Sequence, residues 1–349
     1  MRFAIGVDLG GTNLRIAAVS EAGELLEKIT TATRAATGPD AVIGEMAAAI
    51  EEIAAKFRST GALLGVGIGV AGIIDARTGT LRESPNLPGW NDYPVRAEIE
   101  RRLKAAVVLE NDANAAAAGE AWRGAARHFD SMCMITLGTG VGGGLIFQGR
   151  VWQGMTGMAG ELGHICINPK GPRCGCGAAG CVEQYASATA VVRMAREAIA
   201  GQGAPRLAEA ASEDAEFNAR VVHNLAVQGD QGAQEIFRTV GWALGVLLAD
   251  LVNALNMPVY VIGGGVSNAW ASFAPAMFEE LKQRSFVYGA TAPEDIVAAS
   301  SGDASAAWKP PASGTSPRTL VTRALLGPDA GLYGAARLAM LLYGGTSLR

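Results

Sequence analysis

The sequence predicts an α/β fold of two lobes, and three observations carry that reading. Apolar strands alternate with helical segments along the first third of the chain, the pattern of α/β architectures. A strand–glycine turn–strand unit occurs twice, as "FAIGVDLGGTNLRIAAV" and "MCMITLGTGVGGGLIFQG", and is read as a weak internal repeat with one copy per lobe. The 349 residues also exceed the length of about 250–300 at which single cores stop growing. The lobes are expected at 1–118 with about 330–349, and at 119–329.

Taken in order, "FAIGVDL" is the first strand, "GGTN" its turn and "LRIAAVS" the second strand. Val42, Ile43, Met46, Ile50, Ile53 and Phe57 recur at three- and four-residue steps, which marks an amphipathic helix. The β-rich run "LLGVGIGVAG", the loop "ESPNLPGWND", a helix near 94–103 and the strand "AAVVLE" follow. That strand ends in "END", from which "ANAAAAGEAW" leads off as a helix. The most apolar stretch, "VGWALGVLLADLVNALNMPVYVIGGGV", is broken by Asp250, Asn253, Asn256 and Pro258. It reads as a buried helix followed by a buried strand, not a membrane span. The segment around 299–316, rich in Ser, Ala, Pro and Gly, is expected to be a surface loop, and "LGPDAGLYGAARLAMLLY" closes the chain as a helix.

Composition narrows the classes of partner. With 49% hydrophobic and 18% charged residues the chain is globular, and its net charge of −4 argues against a nucleic-acid surface. The first apolar run meets Asp8 too early for a signal peptide. The expected setting is a reducing cytoplasm, with no membrane partner, where thiols stay free or bind metal.

"GTGVGG" matches G-x-G-x-x-G in form, but the "GLIFQG" after it reads as a strand where a dinucleotide fold needs a helix, and no Walker motif is present. What remains is a hairpin whose glycines let backbone N–H groups approach an anion, with Thr12 and Thr139 adding hydroxyl donors. Two such turns facing each other would clamp a polyphosphate. Asp8, at the end of the first strand, either positions Mg²⁺ through water or simply starts the turn. Gly264 and Gly265 in "VIGGGVSN" suit close approach to a flat ligand such as adenine, and equally a tight strand-to-helix turn.

Cys174, Cys176 and Cys181 fall within eight positions, and "GELGH" supplies His164. Three thiolates and one imidazole complete a tetrahedral zinc site that leaves no open position, so the metal is structural. Gly175, Gly177 and Gly180 relieve crowding in the wrapped loop. Disulfides are disfavoured by the compartment and by the spacing. Cys133 and Cys166 lie in apolar runs and are expected to be small core residues. A zinc-bound imidazole has one ring nitrogen left for outward hydrogen bonding, and Glu161 and Glu183 stand close by in sequence. Two carboxylates and one imidazole in fixed relation suit a polyhydroxylated ligand, whose hydroxyls both donate and accept.

"DLGGTN", "GVAG", "END", "LGTGVGGG", "GELGH", "CGCGAAGCVE" and "LGPDAGLYGAA" together resemble the ROK (repressor, ORF, kinase) family, and among its members most closely the bacterial ATP-dependent glucose kinases. The resemblance covers the chain apart from the segment around 299–316. It implies a two-lobed actin/hexokinase-like (ribonuclease H-like) fold closing over a sugar, and a homodimer or homotetramer. Carried over position by position, Asp112 resembles the catalytic base, and Asn86, Asn111, Glu161, His164 and Glu183 the sugar ligands. Gly10, Gly11, Thr12, Asn13, Gly138, Thr139 and Gly140 resemble the phosphate-binding turns, and Gly264 and Gly265 the adenosine side. The residues agree about Asp112: at a strand-to-helix junction, a helix N-terminus favours its ionised form, and an ionised carboxylate can take a proton from an attacking hydroxyl. The competing reading makes Asp112 only the N-cap of its helix.

The implied reaction is phosphoryl transfer from ATP to glucose at the 6-hydroxyl, with Mg²⁺ as cofactor and zinc as structure. Kinases of N-acetylglucosamine, N-acetylmannosamine, fructose or allose, or a polyphosphate donor, remain alternatives. A sugar-responsive repressor is a remote one, because the phosphate-binding strand starts at residue 3 and leaves no room in front of it for a DNA-binding domain.

Overall fold

A computed structural model describes residues 1–84, 86–213, 216–293 and 318–344. By its internal contacts the chain divides into two units: Met1–Met134, Gly144–Gly160 and Leu325–Arg349 in the first, Ile135–Gly143 and Glu161–Ala324 in the second.

In the first unit, β1 (Arg2–Leu9) and β2 (Asn13–Ser20) form an antiparallel hairpin, to which β3 (Leu25–Ala32) adds. Helix α1 (Pro39–Phe57) returns the chain to β4 (Ala62–Val70), parallel to β1. A small ribbon of β5 (Ile73–Asp75) and β6 (Thr80–Glu83) and helix α2 (Val95–Leu103) lead to β7 (Val107–Asn111), parallel to β4, and then to α3 (Asp112–Trp122). The sheet order is β3-β2-β1-β4-β7. The periodic stripe of α1 (Val42, Ile43, Met46, Ile50 and Ile53) is buried with Phe3, Ile5 and Val7. On Ala4, Ala17 and Val19 lies the closing helix (Ala330–Tyr343), through Leu332, Ala336, Ala339 and Met340. Its backbone comes so near the sheet that a Cβ on Gly67 would stand 1.8 Å from the Ala335 carbonyl oxygen. Only glycine allows that approach.

The second sheet repeats the order. β8 (Met132–Leu137), β9 (Val141–Phe147), β10 (Arg150–Val151), β11 (Val259–Gly263) and β12 (Leu320–Arg323) lie as β10-β9-β8-β11-β12. As in the first sheet, an antiparallel pair (β9 with β10) lies at one edge and a parallel pair (β11 with β12) at the other. The helices are α4 (Glu183–Ala186), α5 (Ala188–Ala200), α6 (Pro205–Glu213), α7 (Ala219–Val227), α8 (Gln231–Leu255), α9 (Trp270–Arg284) and α10 (Phe286–Thr291). The apolar stretch is α8 followed by β11, as the sequence predicts. Asp230 caps α8 by accepting from Ala233 N at 2.8 Å, and Asn256 ends it in the left-handed region at φ 46°. Among the described residues no helix is long and apolar enough to cross a membrane. The loop expected around 299–316 lies outside the described residues.

One expectation is corrected. Cys133 is a buried core residue, but Cys166 is exposed. It belongs to no strand and pairs only through an isolated bridge with Cys181, its thiol donating to the Ala179 carbonyl at 3.2 Å. That single bridge leaves Cys166 uncovered, while Cys181 opposite it is buried.

Candidate active site

In the first unit the β1–β2 register sets Asp8 opposite Arg15, whose Nη1 donates to Asp8 Oδ2 at 2.9 Å. Burial pushes the Asp8 carboxyl above the usual carboxylate range, with Arg15 pulling the other way. The turn closes through Gly10 N donating to Asn13 O at 3.0 Å, and Thr12 O accepts from Thr33 N at 2.8 Å. A Cβ on Gly11 would lie 2.6 Å from the Asn86 carbonyl oxygen, so the loop carrying Asn86 is seated on this turn. Buried Leu87 and Trp90 anchor that loop, and Asn86 itself is exposed.

At the β7–α3 junction both Asn111 and Asp112 are good capping types, and the backbone decides between them. Asn111 has extended dihedrals (φ −63°, ψ 146°), and its Oδ1 accepts from Ala113 N at 2.9 Å and Asn114 N at 3.2 Å. Asn111 is the cap, and its Nδ2 donates to Gly72 O at 3.3 Å. Asp112 is the first helical residue, its Oδ1 sharing the Ala113 amide at 2.9 Å. The sequence missed a third member. Glu110 is buried, and its carboxylate accepts from Asn111 N, Asn114 Nδ2 and Gln153 Nε2. "END" is visible in the sequence, but nothing there shows that its first residue is interior or that Gln153 meets it.

The second unit holds the other turn and the cysteine loop. Gly138 N donates to Gly140 O at 2.9 Å, while Ala188 N and Thr189 Oγ1 donate to the Gly138 and Thr139 carbonyls at 2.8 Å each. The start of α5 therefore fixes this turn. Glu183 lies against it: Oε2 accepts from Val141 N at 3.1 Å, and a Cβ on Gly140 would stand 2.4 Å from that same oxygen. Its other oxygen is 3.8 Å from Cys174 Sγ. Glu183 thus stands between the glycine turn and the sulfur cluster.

His164, Cys174, Cys176 and Cys181 present four donor atoms within 4.8 Å of one another. A tetrahedron with Zn–S bonds of about 2.3 Å has edges of roughly 3.8 Å. Cys176 Sγ and Cys181 Sγ are 3.7 Å apart, and Cys174 Sγ is 3.6 Å from His164 Nδ1. The donor set and its spacing are compatible with zinc. Nδ1 faces the sulfurs, and Nε2 lies 4.0 Å from Glu161 Oε2. Burial and neighbouring sulfurs push the Cys181 thiol up to about 12, while a backbone hydrogen bond involving Ala178 holds Cys176 below its usual value. A bound dication lowers thiol values and expels their protons.

Gly264, at φ 83°, turns the chain from β11 toward α9, and a Cβ there would lie 2.4 Å from Leu137 O. This turn therefore packs on the end of β8, next to Gly138, while Gly265 has open space around its Cβ position. Gly264→Ala combines left-handed strain with a backbone clash. It is expected to destabilise by about 1–3 kcal/mol or more, read as a lower melting temperature. Unchanged melting would remove the case for this close packing.

The sequence profile of the ROK family matches residues 4–308. The chain belongs to the ROK family, whose sugar kinases share this mixed α/β, hexokinase-like fold. It is 40% identical over 265 residues to a glucokinase of Thermotoga maritima, covering 76% of this chain and 82% of that one. It is 38% identical over 270 residues to a glucokinase of Halalkalibacterium halodurans, covering 77% and 82%. The crystal structure of a ROK family glucokinase from Streptomyces griseus in complex with glucose and AMPPNP superposes with a TM-score of 0.72 at 34% identity, covering 96% and 98%.

Proposed function

We propose that this chain is an ATP-dependent glucokinase, transferring the γ-phosphoryl group to the 6-hydroxyl of glucose in the cytoplasm. The observation that carries the mechanism is the arrangement of the β7–α3 junction, where Asn111 is the cap and Asp112 is the first helical residue, its carboxylate at the helix N-terminus. Asp112 accepts the hydroxyl proton as the sugar oxygen attacks the γ-phosphorus. The bond from that phosphorus to the ADP oxygen breaks, ADP takes the electron pair, and Asp112 ends protonated.

Glu161 and Glu183 offer carboxylate acceptors to the 1-, 2- and 3-hydroxyls. His164, with Nδ1 turned to the sulfurs, offers them Nε2–H as a donor, while Asn86 and Asn111 add amide donors. Glu183 accepts from Val141 N on one oxygen, and a carboxylate has further lone pairs for a hydroxyl. The turns at Gly10, Gly11, Thr12 and Asn13, and at Gly138, Thr139 and Gly140, supply backbone N–H groups to the phosphates, and Gly264 and Gly265 border the adenosine. Asp8 would hold Mg²⁺ through water, the cation neutralising charge on the phosphates. Zinc on His164, Cys174, Cys176 and Cys181 would be structural.

The test is kcat/KM for a panel of sugars under one set of conditions. Glucose is expected highest, mannose and glucosamine weaker, and N-acetylglucosamine and N-acetylmannosamine poorest. A site built to pair a hydroxyl rejects an analogue lacking it by up to ~10⁴-fold. If either acetylated sugar is preferred, the kinase mechanism stands and glucose is the wrong substrate.

A further inference from the structure

We propose that Glu110 is a positioning residue for phosphoryl transfer, fixing the junction from which Asp112 acts; the inference rests on the reading of Asp112 as general base. Glu110 is 3% exposed, and burying a carboxylate is costly unless donors surround it. Three do. Oε1 accepts from Asn111 N at 2.9 Å and Asn114 Nδ2 at 3.0 Å, and Oε2 accepts from Gln153 Nε2 at 2.6 Å.

The identity of these donors is what points to catalysis. Asn111 precedes Asp112 and Asn114 follows it by two residues, so one carboxylate oxygen grips the chain on both sides of the base. Rotation of the first turn of α3, which would swing the Asp112 side chain, breaks one of those bonds. The third donor comes from 43 residues away and opens the segment that runs on to Glu161. Trp152 and Met155 beside it are 54% and 98% exposed, so apolar burial does little to hold that stretch. Glu120 offers a contrast within the same helix. It is fully buried, yet among the described residues its carboxylate accepts from the backbone amides of Ala125, Leu325 and Leu326, which is a staple between loops.

The experiment is a double-mutant cycle with Asp112→Asn, read in kcat, in KM for ATP and in melting temperature. A displacement of the base by 1 Å can cost ~10²-fold. Glu110→Ala is expected to lower kcat by about that factor and Gln153→Leu by about 10-fold, with KM for ATP little changed. Combined with Asp112→Asn, each should add less than about 3-fold, because residues acting as a unit are not additive. Glu110→Gln keeps a carbonyl at the Oε1 position, and Gln153 can turn its own oxygen to the new amide. It should therefore recover most of the turnover lost in Glu110→Ala. Glu120→Ala, a structural control, should lower the melting temperature, and any loss of kcat should multiply with that of Asp112→Asn.

Full multiplication of the Glu110→Ala or Gln153→Leu loss with that of Asp112→Asn overturns the proposal. So does Glu110→Gln as impaired as Glu110→Ala. If Glu110→Ala does not fold, the Gln153→Leu cycle alone decides. Failure of the general-base reading is seen separately, as near-normal turnover in Asp112→Asn by itself.

Discussion

Asp112→Asn is expected to lower turnover at least ~10²-fold, the lower end of what general-base catalysis contributes, while the protein stays folded. The two halves of that expectation come from different residues. Stability of the α3 N-terminus belongs to Asn111, whose Oδ1 takes two backbone amides. Asp112 adds a charge in the first turn, worth roughly 0.3–1 kcal/mol against the helix dipole. Asn111→Ala should show the opposite pattern in stability, losing about 1 kcal/mol as cap deletions do. Sugar affinity in Asp112→Asn should fall far less than turnover, since an amide also hydrogen-bonds a hydroxyl. Near-normal turnover would make Asp112 a bystander and remove the mechanism.

The contrast between these neighbours shows what a sequence can and cannot carry. Asn and Asp are both favoured N-caps, so residue type left the role of Asp112 open, and only the extended dihedrals of Asn111 assign the cap. Elements with strong periodicity were legible. The stripe from Val42 to Ile53 is the buried face of α1, and the most apolar stretch is α8 and β11. β3 was not legible, because "LLEKITTA" sits at a sheet edge with no fully buried residue and carries no alternation to read. Cys166 misled through its neighbours: Ile165 and Ile167 suggest a core run, and a lone bridge with Cys181 leaves the thiol exposed. The Glu110–Gln153 bond is of the kind sequence conceals most, a single polar contact across 43 positions.

Removing the metal is the second large effect expected. Close to one zinc per chain should be found by elemental analysis, and chelation, or Cys176→Ser, should abolish activity. The loop from Cys174 to Cys181 holds little apolar burial of its own, with Gly175, Cys176, Gly177 and Ala178 all exposed. Structural zinc contributes ~10–16 kcal/mol of apparent binding free energy in small zinc domains, against roughly 5–15 kcal/mol of net stability for a whole protein. Loss of the ion should therefore release the loop.

Its release reaches the proposed ligands through contacts already described. His164 loses the partner of Nδ1, and with it the orientation of Nε2 toward Glu161. Glu183, two residues after Cys181, loses its neighbour Cys174 and is left with Val141 N at the edge of the Gly138–Gly140 turn. Sugar binding and phosphate binding should thus fail together, whereas Asp112→Asn should keep its zinc and most of its sugar affinity. Cys133→Ser and Cys166→Ser should leave metal content unchanged, since neither thiol belongs to the four-donor cluster. Fully active enzyme containing no zinc would sink this account of the cysteine loop.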